Sequence, residues 1–180
     1  MEKLIAKPQL GFAEAVKLAS GRLLDFNGRS RRSEFWWFML AFILCNMIFS
    51  QIVTLILPNV AGALLQEAFM FLTFAVTVRR LQDGGHSMWW VIVSWIASTV
   101  YSVSMYTSGI MEAATSINPN PADLTGMFSN PVLIVSSIIA AISGITVLVF
   151  CCMDGKAEPN RYGDSPKYVV VNDEENDPVS

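Results

Sequence analysis

Lysine and arginine are missing from most of this chain. All 12 of them lie in residues 1–34, 79–87 and 154–180. Their absence elsewhere leaves four long apolar runs, at residues 35–57, 60–78, 88–106 and 132–152. Each run has about the 20 residues with which an α-helix crosses the hydrocarbon of a bilayer. A soluble fold would need four core helices without a polar face, so the pattern predicts an all-α membrane protein with four transmembrane helices.

The connections that lack basic residues indicate the orientation of these helices. Residues 58–59 and 107–130 contain neither Lys nor Arg, which is typical of loops on the non-cytoplasmic side. The chain therefore divides into a cytoplasmic segment of residues 1–34, a transmembrane domain of residues 35–153 and a cytoplasmic segment of residues 154–180. Both termini are predicted to be cytoplasmic.

Three stretches outside the apolar runs have weaker structural signals. The outer loop of residues 107–130 is only mildly polar and is expected to be mobile. Residues 168–171 are a short β-branched run that either forms a strand or packs on the loops. Residues 172–180 are acidic and are predicted to be a disordered tail.

Cysteine and histidine are scarce, which argues against disulfides and metal sites. Cys45 lies in the first run, and Cys151 and Cys152 lie at the inner end of the fourth, so none falls in a predicted outer loop. We expect all three to be reduced packing residues. His86 is the only histidine, and a metal site would need further ligands nearby. No metal and no other cofactor is predicted.

Sequence motifs of enzymes are missing as well. The chain has no His-Glu-x-x-His helix, no Gly-x-Ser-x-Gly elbow and no phosphate-binding glycine-rich loop with lysine. Asp83, His86 and Ser87 have the residue types of a hydrolytic triad, but they share one turn, whereas such sites draw their members from separate elements. We predict no catalytic residue and a non-enzymatic role. Nucleic-acid binding is not expected either, because the basic residues adjoin the membrane and alternate with acids.

An amphipathic helix is predicted before the first run. Apolar residues recur there at helical spacing, at Phe12, Val16, Ala19, Leu23 and Phe26. Such a helix either lies on the cytoplasmic surface of the membrane or docks against the protein's own cytoplasmic loops. The same apolar stripe serves both arrangements, so the pattern leaves both open.

Small residues recur every four positions in the third and fourth runs. The rows are Ser94, Ser98 and Ser102 in the third, and Ser136, Ala140 and Gly144 in the fourth. Apolar burial drives little association in lipid, so rows of small residues indicate which helices approach closely. We expect the third and fourth helices to be in contact. We also expect the hydroxyls to bond to the carbonyl one turn earlier rather than to line a polar path.

Glu67 is the only formal charge within the four runs. An ionisable residue in a span is a candidate for carrying protons or cations, because an uncompensated charge costs roughly 2.5 kcal/mol or more at the bilayer centre. However, Glu67 follows Val60 by only seven residues, which places it about 10 Å from the outer end of its helix. No second acid or base within the runs completes a relay, so the sequence favours a structural role.

Three cytoplasmic segments combine arginine, tryptophan and carboxylate side chains. Four antiparallel spans would bring these segments to one face, where their charges neutralise one another. Their prominent residues are Gly28, Arg29, Arg31, Arg32, Glu34 and Trp36 in the first, Arg79, Arg80, Asp83, Trp89 and Trp90 in the second, and Asn160, Arg161, Tyr162 and Gly163 in the third.

These segments resemble the YhaH-like bacterial inner-membrane family, catalogued as domain-of-unknown-function family 805. The family elements are Gly-Arg-x-x-Arg-x-x-Phe-Trp, Arg-Arg-Leu-x-Asp followed by Ser-x-Trp-Trp, and Asn-x-Tyr-Gly-x-x-Pro. They match Gly28, Arg29, Arg32, Phe35 and Trp36, then Arg79, Arg80, Leu81, Asp83, Ser87, Trp89 and Trp90, then Asn160, Tyr162, Gly163 and Pro166. The chain departs from the family at Gln82, where His is frequent, and at Met88, where Gly is frequent. The resemblance covers about residues 12–168 and implies a place in the bacterial inner membrane, but no activity.

Three roles are open for the cytoplasmic layer. It is an internal network that fixes the helix ends, with tryptophans setting their depth, or a site for anionic lipid headgroups or a phosphorylated ligand. The third possibility is a small-solute transporter or channel component that uses Glu67, although the sequence shows no internal repeat. The expected partner is the lipid bilayer with its anionic lipids, a homo-oligomer is left open, and no protein partner is identified. The candidate lipid or phosphate contacts are Arg29, Arg31, Arg32, Arg79, Arg80 and Arg161.

Overall fold

The computed structural model describes residues 2–57, 60–116, 125 and 128–172. Predictions for the connection at residues 58–59, for the centre of the outer loop and for the acidic tail beyond residue 172 lie outside the described residues. The elements in chain order are β1 (Glu2–Ala6), α1 (Phe12–Ser20), α2 (Arg32–Ile56), α3 (Val60–Met70), a 3-10 turn (Phe71–Thr73), α4 (Phe74–Asp83), α5 (Trp89–Thr107), α6 (Ile110–Thr115), α7 (Pro131–Cys152) and β2 (Tyr168–Asn172).

Three of the four predicted spans are helices long and apolar enough to cross a membrane. They are Arg32–Ile56, Val60–Asp83 and Pro131–Cys152. α5 occupies the third apolar run, but its many Trp, Tyr, Ser and Thr residues give it a lower hydropathy than the other three. The protein is therefore mostly helical, with at least three helices suited to a bilayer.

The second apolar run extends further as a helix than the sequence predicted. Its expected end was residue 78, but α3, the 3-10 turn and α4 continue it to Asp83. Arg79 and Arg80 therefore lie on a helix and not in the turn that follows. Every residue of α4 is buried, so protein surrounds the charged last turn of this helix. The chain reverses at the next two residues, where Gly85 has a φ of 81° that glycine adopts without strain.

α5 and α7 pack against each other more extensively than any other pair of helices, which confirms the prediction from their small residues. A Cβ atom added to Gly144 would lie 3.7 Å from Oγ of Ser94, an ordinary contact distance. Ser136 and Ser143 are buried, and each donates to a carbonyl one turn earlier, at 2.6 Å. These hydroxyls are satisfied within α7, as predicted.

The prediction of an all-α chain was wrong at the two ends, where the structure has a small sheet. β1 and β2 pair antiparallel, with Leu4 opposite Val170. The pairing continues past β1, because the backbone N–H of Lys7 donates to the carbonyl of Lys167 at 2.8 Å. The β-branched run at residues 168–171 indicated one strand, but nothing in the sequence indicated its partner. The segments before α2 and after α7 are thus joined.

α1 docks against α2. Ala15 and Ala19 are fully buried, and the rings of Phe12 and Trp37 meet edge to face at 5.7 Å. Leu18 stays exposed, as does much of Phe12. The helix therefore rests on its own protein with one flank and keeps a second apolar flank uncovered.

Candidate functional site

Asp83, the last residue of α4, lies between two arginines. Nε of Arg29 donates to its Oδ1 at 2.9 Å, and Nη1 of Arg80 donates to its Oδ2 at 2.5 Å. All three side chains are no more than 4% exposed. One carboxylate cannot neutralise two guanidinium groups, so these arginines need further acceptors inside the protein.

Arg29 finds these acceptors in the segment that follows α7. Its Nη1 donates to the carbonyls of Glu158 at 3.0 Å and Gly163 at 3.2 Å. Its Nη2 donates to the carbonyls of Lys156 and Asp83. A guanidinium has five N–H donors in a fixed fork, which lets a single side chain hold several turns of this segment.

Arg80 caps the end of α7. Its Nε donates to the carbonyl of Cys151 at 3.1 Å, and its Nη2 donates to the carbonyl of Met153. The last carbonyls of a helix have no partner within the helix, and a cation near them interacts favourably with the helix dipole. α4 thus supplies the cap that α7 lacks.

Arg79 binds the segment between α1 and α2. Its Nη1 donates to the carbonyls of Arg22, at 2.7 Å, and Asp25, and its Nε donates to Oγ of Ser30 at 3.0 Å. The same hydroxyl donates to Oε1 of Glu34 at 2.8 Å. Nη2 of Arg79 lies 3.7 Å from that oxygen, which makes Glu34 the second buried acid of the network.

The other predicted contact arginines lie outside this network. Nη1 of Arg31 donates to the carbonyl of Pro8 at 2.7 Å. Arg32 pairs at 3.2 Å with Asp154, and the two side chains are 50% and 62% exposed. Arg161 is exposed on the last segment. The structure therefore divides the six predicted contacts into two groups. Arg29, Arg79 and Arg80, hereafter the arginine core, are buried and pair with Asp83 or Glu34, whereas the peripheral arginines are Arg31, which is buried but pairs with neither acid, and the exposed Arg32 and Arg161.

The remaining motif residues shape the turns around the core. Gly28 and Gly163 have φ values of 92° and 120°, a region that side chains other than glycine rarely adopt. Nδ2 of Asn160 donates to the carbonyl of Gln82 at 2.9 Å, and its Oδ1 accepts from the N–H of Tyr162 at 2.8 Å. Asn160 thereby fastens the last segment to the end of α4.

Tryptophans mark the start of two helices. Trp36 and Trp37 lie in the first turns of α2, and Trp89 and Trp90 open α5. All four are between 39% and 68% exposed. Exposed tryptophan at a helix end is typical of the membrane interface.

Sequence reasoning missed two residues at the centre of the network. Ser30 is fully buried and links Arg79 to Glu34, although its position between motif arginines was the one available signal. Gly155 leaves room for Asp83, because a Cβ atom there would lie 1.8 Å from Oδ2 of that residue. Glycine is common after the end of any helix, so its position alone does not indicate that a buried carboxylate packs against it.

Glu67 is not part of the arginine core. Its Oε1 accepts from Oγ of Ser102 at 2.8 Å, and its Oε2 accepts from Oγ1 of Thr99 at 3.4 Å. The adjacent Gln66 donates to Asn46 at 2.6 Å, which joins α3 to α2. Glu67 is therefore held by hydroxyl groups of α5, and one predicted packing serine, Ser102, faces it instead of its own backbone.

The isolated histidine has a packing contact, and of the three cysteines only Cys151 is buried. The ring of His86 stacks on that of Phe150, with centroids 3.7 Å apart, and burial lowers its pKa from the ordinary value. Cys45, Cys151 and Cys152 are free thiols. In the described ranges, no three His, Cys, Asp or Glu side chains are grouped closely enough to hold a metal ion.

Comparison with known proteins places this arrangement in a family. A family model described as a protein of unknown function (DUF805) matches residues 23–164. The inner membrane protein YhaH of Escherichia coli strain K12 is 29% identical over 98 residues, which cover 48% of this chain and 81% of YhaH. YhaH of Escherichia coli O157:H7 gives the same values, and no solved structure matches. Because the family match spans the arginine core and its partners, from Arg29 to Gly163, the chain belongs to the DUF805 family.

Proposed function

We propose that this protein is a four-span, non-enzymatic component of the bacterial inner membrane with both termini in the cytoplasm. In this proposal the arginine core fixes the cytoplasmic ends of the helices, and the peripheral arginines associate with anionic lipids. The observation that carries it is that Arg29, Arg79 and Arg80 donate hydrogen bonds to acceptors inside the protein. These acceptors come from three different parts of the chain.

The pairing of the two strands supports the fourth span. β1 precedes α2, β2 follows α7, and the strands form one sheet. Paired strands lie on the same side of a bilayer, so the chain between them crosses it an even number of times. Three helices qualify as spans by length and hydropathy. α5 supplies the fourth crossing, and its close packing along α7 gives it a protein partner in the membrane.

The distribution of charge supports a cytoplasmic position for the sheet and the arginine core. All lysines and arginines lie in residues 1–34, 79–87 and 154–180, the segments that also hold the arginine core and both strands or adjoin them, and basic residues favour the cytoplasmic side. The exposed flank of α1, with Phe12 and Leu18, then lies beside Trp37 at the inner interface. The names of the two YhaH relatives also place them in the inner membrane.

The burial of the arginine core supports a structural role for it. A buried ion pair contributes little net stability compared with apolar residues, but removal of one partner costs about 3–5 kcal/mol. Such a network therefore enforces a specific arrangement of helix ends. The peripheral arginines, by contrast, have exposed side chains at Arg32 and Arg161, and each basic residue near an anionic surface gains about 1 kcal/mol.

Labelling of single cysteines on either side of α5 tests the topology. Ser87 precedes this helix and Ser108 follows it. In a variant without native cysteines, we expect Ser87→Cys to react with a membrane-impermeant maleimide only in inside-out vesicles, and Ser108→Cys only in spheroplasts. Reaction of both from the same side would refute the four-span topology.

A further inference from the structure

We propose that a basic cleft at the start of α2 binds the phosphate group of an anionic ligand. This inference rests on the proposed lipid association and assigns it a specific site. The cleft has a volume of about 500 Å³ and lies between the end of β1, the first turns of α2 and the residues after α7. The lining residues that matter for binding are Lys7, Arg31, Arg32, Ser33, Asp154 and Lys167.

The cleft has an excess of positive charge. Five cations line it, and besides Arg80, which belongs to the arginine core and binds Asp83, these are Lys7, Arg31, Arg32 and Lys167. The carboxylate of Asp154 lies in the same lining. Arg32 contacts this carboxylate at 3.2 Å and Lys167 at 3.6 Å. Both lower its pKa, Arg32 the more strongly, so it is ionised at neutral pH. One carboxylate against four cations leaves room for a ligand with one or two negative charges.

The other acid in the cleft does not offset this excess. Asp83 also lines it, but Arg29 and Arg80 already bind both of its oxygens. Arg31 is held in place by the carbonyls of the N-terminal segment, at 2.7 Å from that of Pro8, and retains N–H donors beyond those used there. The cations that remain for a ligand therefore belong to the rim of the cleft and not to the arginine core.

Polar donors at the start of α2 are also without partners. Its N-cap residue, Arg31, makes no side-chain capping bond, and the first N–H groups of a helix lack partners within the helix. Ser33 lines the cleft, and in the part of the chain that the structure describes its hydroxyl has no hydrogen-bond partner. A phosphate oxygen would satisfy these donors, since helix N-termini favour anions.

The position of the cleft matches the depth of lipid phosphates. Trp36 and Trp37 line it, and tryptophan is enriched at headgroup level. The cleft also lies on the side of the sheet, where soluble compounds have access to it. An anionic phospholipid and a soluble phosphate monoester present the same group here, and the two sources are separable by experiment.

Native mass spectrometry of the detergent-solubilised protein tests the site. One arm titrates phosphatidylglycerol against phosphatidylcholine, and the other titrates glycerol 3-phosphate. The cleft variant is Lys7→Gln with Lys167→Gln. The matched control is Lys17→Gln with Lys156→Gln, which removes the same charge from exposed positions outside the cleft.

We expect the cleft variant to bind phosphatidylglycerol or glycerol 3-phosphate at least tenfold more weakly than the wild type, and the control to stay within twofold. Binding of the lipid alone identifies a headgroup site, and binding of both compounds identifies a site open to soluble phosphates. Equal weakening of binding in the cleft variant and the control would refute a binding site in the cleft, but it would agree with non-specific association with lipids. Binding of neither compound by the wild type would also overturn it.

A single substitution keeps the proposal testable if the double variant misfolds. Arg32 is half exposed, so Arg32→Gln is expected to lower the thermal unfolding temperature by no more than about 4 °C and to weaken binding severalfold. If Arg32→Gln folds normally and binds like the wild type, the proposal is wrong.

Discussion

Replacement of Asp83 by asparagine probes the arginine core most directly. The change preserves the size of the side chain but removes the charge that Arg29 contacts at 2.9 Å and Arg80 at 2.5 Å. Two guanidinium groups then remain in a nearly solvent-free site without an ionic partner. Asp154→Asn is the matched control, because it removes the same charge from an exposed pair with Arg32 at 3.2 Å.

The two substitutions are expected to lower the stability of the protein by very different amounts. Loss of one partner from a buried pair costs about 3–5 kcal/mol, whereas an exposed pair is worth about 0.2–1 kcal/mol. For a domain of this size, 1 kcal/mol corresponds to roughly 2–4 °C in the unfolding temperature. We therefore expect Asp83→Asn to lower that temperature by about 6–20 °C, and Asp154→Asn by no more than about 4 °C.

Tryptophan fluorescence during heating, with wild type and variants in the same detergent and at the same lipid content, measures both shifts. A double variant with Arg29→Gln adds a thermodynamic cycle, in which the combined loss is expected to be smaller than the sum of the single losses. Equal, small shifts for Asp83→Asn and Asp154→Asn would refute the inference that the core holds the helix ends. Strict additivity with Arg29→Gln would refute the direct pairing.

Three further predictions concern other parts of the chain. Gly155→Ala places a methyl group 1.8 Å from Oδ2 of Asp83 and is expected to destabilise the protein by about 1–3 kcal/mol in thermal unfolding. Gly11→Ala, whose methyl group would meet nothing within 4 Å, is expected to cost less than about 1 kcal/mol, because it changes only the N-cap residue of α1. Burial lowers the pKa of His86 in the folded protein. The neutral imidazole therefore contributes stability above the ordinary histidine pKa, and this stability is lost as the pH falls through the lower pKa of the folded state. Between pH 7.5 and 5 the unfolding temperature is expected to fall more in the wild type than in His86→Gln. Glu67→Ala is expected to cost about 1–3 kcal/mol, because the hydroxyl of Ser102 loses its acceptor, and Glu67→Gln less than half of that; an unchanged unfolding temperature in Glu67→Ala would contradict a structural role.

The helical part of the fold was predictable because membrane helices leave strong local signals. The length of the apolar runs predicted α2, α5 and α7 to within three residues at each end. The rows of small residues predicted the contact between α5 and α7. Both signals depend only on the residues of the helix concerned, so a single sequence suffices to detect them.

The partners of the arginine core were not predictable for the opposite reason. The sequence indicated that arginines and carboxylates meet, and Arg29 with Asp83 is such a pair. However, most donors of Arg29 and Arg80 bind backbone carbonyls. Every residue has a carbonyl, so sequence does not show which ones are free at a helix end or a turn. The pairing of β1 with β2 was not predictable from the sequence either, because it joins residues that are far apart along the chain.

The order in which the ribosome makes these residues gives the arginine core a further consequence. Arg29 and Arg80 are synthesised early, but their carbonyl acceptors at Cys151, Glu158 and Gly163 lie at the end of α7 and beyond it, so they are synthesised much later. Until then, a partly made chain carries cations that lack their final partners. The contacts that complete the arginine core therefore form late in synthesis, and a chain truncated within α7 leaves Arg29 and Arg80 without these carbonyl acceptors.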